Sequence, residues 1–514
     1  MRLPLKALRV EYFLFDLIMN RKPLIEFIGV TVLALGLYLP FLSIQYDVNG
    51  LIEAMSVEKG PLLNKNHMLF RPVGLLAWRG LHFAGYNGNS LRVLQVICAV
   101  AGALGVALTY VAFRALSTNR AAAAFGAAFL GTSFTYWVSS TDVLYVTIAG
   151  MFAAAAVACV LRARSIRAIL IAGIFAALSV FTWQGSLFLV PALLFVVPKH
   201  LRTIRSAAVL LCSSGLLVLA VYVAVAFSSR GLIGPRELWT WFTHYSENNT
   251  LPVWGVWQPE RVPIAAVSAL NSVAAVRLAA GVRELFERVQ LGRVAVDCSL
   301  LAFSALMTLG IARARTNAIL FLAAYLCFLP FIIWWDPGSH KWFLVPNIFL
   351  AAFLVCGIGP WLQHKYATIA VTGCLLVIAG TNFITTIRPR HFNLGRERRM
   401  AECVAEHMRS RDLFLAAEWG WPDYLPYVHG LATISVINEF ARFQTREGTL
   451  AGVREAINET SRQSGSVYMA DPRTHTRTHI QWVKQATGLT FEDLSGLGGT
   501  PSFVCYGLTF NRIN

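Results

Sequence analysis

Five places in this sequence put ionisable or hydrogen-bonding side chains in or beside the connections between apolar runs, and their residue types limit the available chemistry. Asp47 lies in Tyr46-Asp47-Val48-Asn49, a few residues after the first apolar run. A carboxylate held at a membrane surface can take a proton from an acceptor hydroxyl or hold a divalent cation near a phosphate, since both need an anionic oxygen in a fixed place. The alternative is a helix cap followed by solvated acids at Glu53 and Glu58. His67 and Arg71, within Asn64-Lys65-Asn66-His67-Met68-Leu69-Phe70-Arg71-Pro72, are spaced so that one helical turn would present both as a phosphate-binding pair. A surface turn is the other reading of that segment.

Asp142 follows Tyr136-Trp137-Val138-Ser139-Ser140-Thr141, with Tyr145 a turn beyond, and a carboxylate there can also cap the next helix. Trp183-Gln184 joins an indole to an amide, where interfacial anchoring is the competing role. Trp334-Trp335-Asp336-Pro337-Gly338-Ser339-His340-Lys341-Trp342 is the densest polar stretch among the apolar runs. Pro and Gly break a helix there and present Asp336, His340 and Lys341 between indole rings. A cation in that position neutralises a lipid phosphate and aromatic faces suit a sugar ring, whereas a plain aromatic belt with a turn is the alternative.

The elements that must position these groups are set by composition. Of 514 residues, 56% are hydrophobic and only 14% charged. Soluble domains carry roughly 25% charge, so most of this chain lies in lipid. The net charge of +17 comes from small Lys and Arg clusters between apolar runs, a pattern of membrane topology and not of nucleic-acid binding. Apolar runs near 24–44, 93–113, 121–138, 143–161, 168–182, 185–198, 207–228, 294–312, 317–335, 342–360 and 366–387 predict about eleven transmembrane helices. The two runs flanking Trp183 and Gln184 are short, which predicts broken or tilted helices or one long segment.

Orientation follows from the basic punctuation. Arg2, Lys6, Arg9, Arg21 and Lys22 precede the first run, and every second connection after it is basic, as at Arg114 with Arg120 or Arg162 with Arg164. These faces, and the N-terminus, are expected to be cytoplasmic, with the first run a retained signal anchor. Long outward loops are expected at 45–92 and 229–293, the second carrying an interfacial amphipathic helix from Ile264 to Gln290. The transmembrane domain is thus 1–387. Residues 388–514 alternate helical patterns (Met400 to Ser410, Leu450 to Ser464) with strand-like runs at Leu413 to Ala417, Ile434 to Ile437, Ser466 to Met469 and Ser502 to Tyr506. That predicts a small extracytoplasmic α/β domain, strained by the basic cluster Arg388, Arg390, Arg396, Arg398 and Arg399 just after the last span. Of nine cysteines, seven fall in or beside apolar runs and are read as small hydrophobes; Cys403 and Cys505 lie in polar sequence and can pair in an oxidising compartment.

Neither Walker A, G-x-G-x-x-G nor H-E-x-x-H motifs occur. The pattern resembles the polytopic GT-C glycosyltransferases, the class that includes protein O-mannosyltransferases and lipid A aminoarabinose transferases. The likeness is one of architecture and loose motifs over most of the chain: Asp47 stands where that class has its first-loop catalytic acid, Asn66 to Pro72 is similar to the His-containing loop segment of bacterial members, and Asp336 to Lys341 resembles their late outward loop near the lipid phosphate. Asp47-Val48-Asn49 lacks the second carboxylate of D-x-D, which leaves a divalent metal ion, with Asp47 as its ligand if any, an open question. Trp419-Gly420-Trp421-Pro422-Asp423 only superficially echoes the W-W-D-Y-G motif, so N-glycan transfer is not expected. The resemblance implies an enzyme of the cell envelope in a bacterial inner membrane that transfers a hexosyl or pentosyl group from a polyprenyl-phosphate donor, Asp47 acting as base and Arg71, His340 or Lys341 meeting the phosphate. His67, Asp142, Tyr145, Gln184 and Asp336 complete the expected substrate contacts. The competing class is a transporter or lipid-linked sugar flippase without covalent chemistry, which calls for charged residues at mid-membrane depth. A structural partner acting through the C-terminal domain is a third possibility.

Overall fold

The computed structural model describes residues 21–231, 234–243, 255, 257–275, 291–312, 316–417, 420–443, 445–474, 483–484 and 487–513. Apolar side chains dominate the long helices of the bundle, as burial or contact with lipid requires. Among the described residues seven helices are long and apolar enough to cross a membrane, Arg120–Thr132 with Phe134–Thr141 forms a bent pair, and Val146–Leu161, Ile166–Thr182 and Gln184–Val196 are shorter apolar helices. Together these coincide one for one with the eleven runs expected from sequence.

Two interruptions shape the end of the bundle where the candidate residues lie. Ser133 is extended (ψ 145°), so the chain turns by 62° between Arg120–Thr132 and Phe134–Thr141, and the second helix is buried along its whole length. Trp183, also extended (φ −159°), ends Ile166–Thr182 before a 3-10 turn at Gln184–Phe188. The short runs flanking Trp183 are therefore two separate helices that meet at this turn and return to one end of the bundle, where Ser165 and Pro198 line the same cavity. Phe134–Thr141 lies hard against Ser90–Leu116 because Gly102 has no side chain: a Cβ there would meet Ser140 Oγ at 2.2 Å. Tyr136 uses that approach to donate its hydroxyl to Gly102 O at 3.0 Å.

The first long loop is not irregular. It folds into helices Val48–Lys59 and Phe70–Phe83, joined by the segment that carries His67. In the second, Pro235–Thr243 and Arg261–Val273 are helical, and the remainder of the expected Ile264 to Gln290 helix beyond Ala275 lies outside the described residues. The described part does not lie free at an interface. Asn382 accepts from Ala275 N at 2.8 Å and donates to Val273 O at 2.8 Å, and Ser272 pairs with Asn347, so its end is drawn into the bundle.

The last span runs through a π-helical turn at Phe383–Ile387 into Arg388–Phe392 and Arg396–Glu406. Beyond it a five-stranded sheet forms from β1 (Leu413–Ala416), β2 (Ala432–Ser435), β3 (Val467–Ala470), β4 (Thr500–Cys505) and β5 (Leu508–Ile513), in the order β2-β1-β3-β5-β4. β2, β1 and β3 are parallel and the β5 and β4 edge is antiparallel. β1 and β3 are buried throughout, as unbroken apolar runs in a covered parallel sheet should be. The strand expected at Ile434 to Ile437 begins earlier and gives way at Val436 to a helix. β5, not foreseen, returns through Tyr506 (φ 49°) and Gly507 (φ 83°), the paired positive φ of a tight hairpin. Phe414, Trp421 and Phe510 belong to the same core as the bundle, so the domain packs directly on the spans. Cys403 and Cys505 form a disulfide that ties Arg396–Glu406 to β4.

Candidate functional site

Asp47 caps the helix Val48–Lys59, its Oδ1 accepting from Asn49 N at 2.9 Å and Asn49 Nδ2 at 2.8 Å. Its backbone amide donates to Asp142 Oδ2 at 3.1 Å. Among the described residues Oδ2 of Asp47 accepts no hydrogen bond, so one carboxylate oxygen is held in place yet open. The segment around Asp47 is clamped from three directions. Ser43 N donates to Thr141 O at 2.8 Å, Ile44 N donates to Arg390 O at 2.9 Å, and Tyr424 of the C-terminal domain donates its hydroxyl to Tyr46 O at 2.6 Å.

Asp142 is buried and does not cap the following helix, as the sequence suggested; it follows the C-terminal end of Phe134–Thr141. Its Oδ1 accepts from Val143 N at 2.7 Å, while Oδ2 receives Asp47 N and the guanidinium of Arg390. Burial pushes the Asp142 carboxyl up to about 6, with Arg390 pulling down and Asp47 adding to the rise. Arg390 also donates to Gln45 O at 2.9 Å. Nothing in the sequence singled out Arg390 from its basic cluster. The cluster's strain on the topology was the available signal: Arg390 and Arg398 spend their charge locally, Arg398 on Glu402 at 3.2 Å and Ile44 O at 3.1 Å.

His67 lies in the turn before the helix Phe70–Phe83 that carries Arg71, and both side chains turn onto Glu53. Glu53 accepts from His67 Nε2 at 2.7 Å and from Arg71 Nε and Nη2 at 2.8 and 3.0 Å, and Arg71 Nη1 donates to Pro61 O at 2.8 Å. All three side chains are buried. Burial alone would raise the Glu53 carboxyl; His67 and Arg71 outweigh it and hold the group down at about 2. Arg71 is thus engaged as a structural partner. His67 stacks on Tyr145 with ring centroids 4.1 Å apart.

Beside Asn49 opens a cavity of about 330 Å³ whose walls include Tyr145, Trp183, Trp334, Trp335 and Trp342, with Phe188 and Phe331. His67 and Gln184 line it too; among the described residues His67 Nδ1 is buried without a partner, while the Gln184 amide interacts with the Tyr222 hydroxyl. Buried polar atoms are rarely left unpaired, which marks the wall as prepared for a polar ligand. Trp183 and Trp342 stack, centroids 5.5 Å apart, and Asp336 fixes the second indole by accepting from its Nε1 at 3.1 Å. Lys341 Nζ sits 4.7 Å from the Trp342 ring centroid and has no ion-pair partner among the described residues. His340 instead pairs with Thr135 Oγ1 at 2.9 Å; burial, with Lys341 and Arg390 nearby, pushes its imidazole down to about 3, so it is neutral near pH 7.

A divalent cation does not fit the donors at Asp47. Both Asp142 oxygens are taken and Arg390 stands beside them; the buried Glu397 carboxyl lies near enough to Asp47 for its charge to be felt, but among the described residues three acid, His or Cys ligand atoms do not gather there within reach of one ion. Cys403, His407 and Cys505 do come together, but the two sulfurs are joined to each other. Trp419 lies outside the described residues.

Neither a protein-family model nor a curated protein sequence matches the chain. Solved structures do. The chain is similar over 96% of its length to ArnT from Cupriavidus metallidurans bound to undecaprenyl phosphate, covering 98% of that chain at 10% identity and a TM-score of 0.56. It is similar over 95% of its length to the Archaeoglobus fulgidus oligosaccharyltransferase solved with Zn and sulfate, covering 73% of that chain at 14% identity and a TM-score of 0.52. A further structure, the archaeal oligosaccharyltransferase AglB from Archaeoglobus fulgidus with an inhibitory peptide and a dolichol-phosphate, matches 96% of this chain and 74% of its own at 12% identity and a TM-score of 0.51. At such identities the likeness is one of fold: a multi-pass membrane bundle with a small C-terminal α/β domain.

Proposed function

We propose that this chain is a membrane glycosyltransferase that moves a sugar from a polyprenyl-phosphate donor to an acceptor on the extracytoplasmic side of a bacterial inner membrane, its N-terminus cytoplasmic and its C-terminal domain extracytoplasmic. The observation that carries the reading is the open Oδ2 of Asp47, whose other oxygen holds Asn49, a residue that lines an aromatic cavity in which His67 Nδ1 is orphaned. Undecaprenyl phosphate and dolichol-phosphate in structures of the same fold support a lipid-linked donor. The position of the candidate groups at helix ends, and not at mid-span, favours chemistry over transport.

In this reading the apolar wall receives the first isoprene units and the stacked indoles of Trp183 and Trp342 face the sugar ring, whose hydroxyls pair with His67 Nδ1 and the Gln184 amide. Asp47 Oδ2 takes the proton of the acceptor hydroxyl as that oxygen attacks the anomeric carbon. The bond from the anomeric carbon to the phosphate oxygen breaks, and the polyprenyl phosphate leaves with the electron pair, its charge met by Lys341. Asp336 orients Trp342, and Arg390 holds Asp142 and through it the backbone of Asp47. No step is routed through a metal ion.

The test is Asp47→Asn, assayed for transfer of labelled sugar from a polyprenyl-phosphate donor to envelope acceptors in membranes. Asn caps a helix about as well as Asp, so the unfolding temperature should hold. Transfer should fall about 10²- to 10⁴-fold, the usual worth of a positioned general base. Undiminished transfer would remove Asp47 from the reaction.

A further inference from the structure

At the end of the bundle away from Asp47, three cavities lie side by side where helix ends meet. The first, about 390 Å³, opens between the start of Arg21–Tyr38, the end of Ser90–Leu116 and the start of Arg120–Thr132. Lys22, Arg114, Arg120 and Arg162 line it against one carboxylate, Glu26. The second, about 350 Å³, shares Ala115 and Arg162 with the first and adds Arg164 and His200. The third, about 340 Å³, shares Leu161 and Pro198 with the second and adds Lys199 and Arg202.

Glu26 does not balance this charge. Its oxygens accept from Tyr110 Oη at 2.9 Å and pair with Arg120 Nη2 at 2.9 Å and Arg114 Nε at 3.7 Å, so it is fixed on the wall as a brace between two arginines. No other Asp or Glu lines the three cavities among the described residues. Basic residues that only report topology sit on solvated loops; these line hollows between helices, next to apolar residues that include Leu161, Ile171, Leu320 and Phe321. Cations set beside apolar side chains at the end of a membrane bundle match a molecule with a phosphate head and acyl chains. A soluble phosphate would use the cations and leave the apolar walls without a role.

We propose that this end of the bundle binds the phosphate of an anionic membrane phospholipid, with Lys22, Arg120 and Arg162 around the headgroup and the acyl chains along the apolar walls. This does not depend on what the Asp47 site does. The experiment follows the unfolding temperature of the full chain in detergent during separate titrations with dioleoylphosphatidylglycerol, dioleoylphosphatidylcholine and inorganic phosphate. Phosphatidylglycerol should stabilise saturably and the other two should not. Lys22→Gln with Arg162→Gln should weaken that response about tenfold, while Arg205→Gln with Lys365→Gln, an equal charge change among exposed residues outside the cavities, should leave it unchanged. If the first pair does not fold, Arg120→Gln should show the same weakening, since its side chain is 66% exposed and Glu26 keeps Tyr110 and Arg114. Equal stabilisation by phosphatidylcholine or by inorganic phosphate alone would overturn the proposal, as would equal loss in the control pair.

Discussion

The backbone amide of Asp47 donates to the carboxylate of Asp142 at 3.1 Å, joining two acids that lie 95 positions apart in the chain. That contact makes Asp142 a support for the segment carrying the open Asp47 carboxylate, and Arg390 the counter-ion that lets Asp142 stay charged while buried. Arg390→Gln leaves Asp142 buried without its cation. Breaking a buried pair in this way costs about 3–5 kcal/mol locally, and the expected result is a large fall in kcat for transfer with little change in donor KM. Arg390→Gln combined with Asp142→Asn should recover part of the loss, because Asn can still accept from Asp47 N without needing a counter-ion. A double variant no better than Arg390→Gln alone would show that Arg390 does not act through Asp142.

The same pair predicts a pH limb. The Asp142 carboxyl, lifted by burial to about 6, takes a proton as pH falls below that value and its ion pair with Arg390 is lost. Transfer should therefore decline on the acid side of about pH 6, and in Asp142→Asn that limb should vanish. The stability sign is opposite: the folded chain holds this proton more tightly than the unfolded one between the ordinary 3.8 and about 6, so the group favours folding at the acid end and its contribution fades as pH rises through that window. Profiles of kcat/KM against pH for the two proteins decide the matter.

The spans were legible because apolarity at membrane length is a one-dimensional signal, and the eleven runs needed no knowledge of packing. The cavity was legible in part: Tyr145, Gln184 and His67 line it, and Asp336 and Lys341 reach it through Trp342. Pairings were not legible. Arg71 was read as a phosphate ligand because its spacing from His67 is a local fact, whereas its capture by Glu53 depends on how Val48–Lys59 folds back across Phe70–Phe83. Arg390 was hidden for the converse reason, since its partner lies 248 positions away. β5 escaped because a hairpin through Tyr506 and Gly507 gives only a two-residue cue.

Glu53 offers a way to separate structure from substrate contact. Its carboxylate, held at about 2, favours folding fully above its ordinary 4.5, and that contribution is lost as pH falls from there toward 2. Glu53→Gln leaves Arg71 and His67 facing a neutral group and should destabilise the fold by about 3–5 kcal/mol, read as a lower unfolding temperature in detergent. Arg71→Lys should do much the same, because an ammonium cannot reproduce the two-pronged contact with Glu53. An Arg71→Lys protein of unchanged thermal stability but raised donor KM would return Arg71 to the substrate.

Lys341 carries the opposite expectation. Its ammonium lies against the Trp342 ring at the cavity wall without an ion-pair partner among the described residues, so its removal breaks no internal salt bridge. Lys341→Gln should leave the unfolding temperature in place and raise the donor KM roughly 10- to 100-fold, the worth of about 1.5–3 kcal/mol for a hydrogen bond to a charged group. His340→Gln is the contrast, because an imidazole already neutral near pH 7 brings no charge to a phosphate. It should perturb the contact with Thr135 and shift stability more than donor KM. Donor KM raised equally by both substitutions would mean that the phosphate is met by the whole turn, and the assignment of its charge to Lys341 would fail.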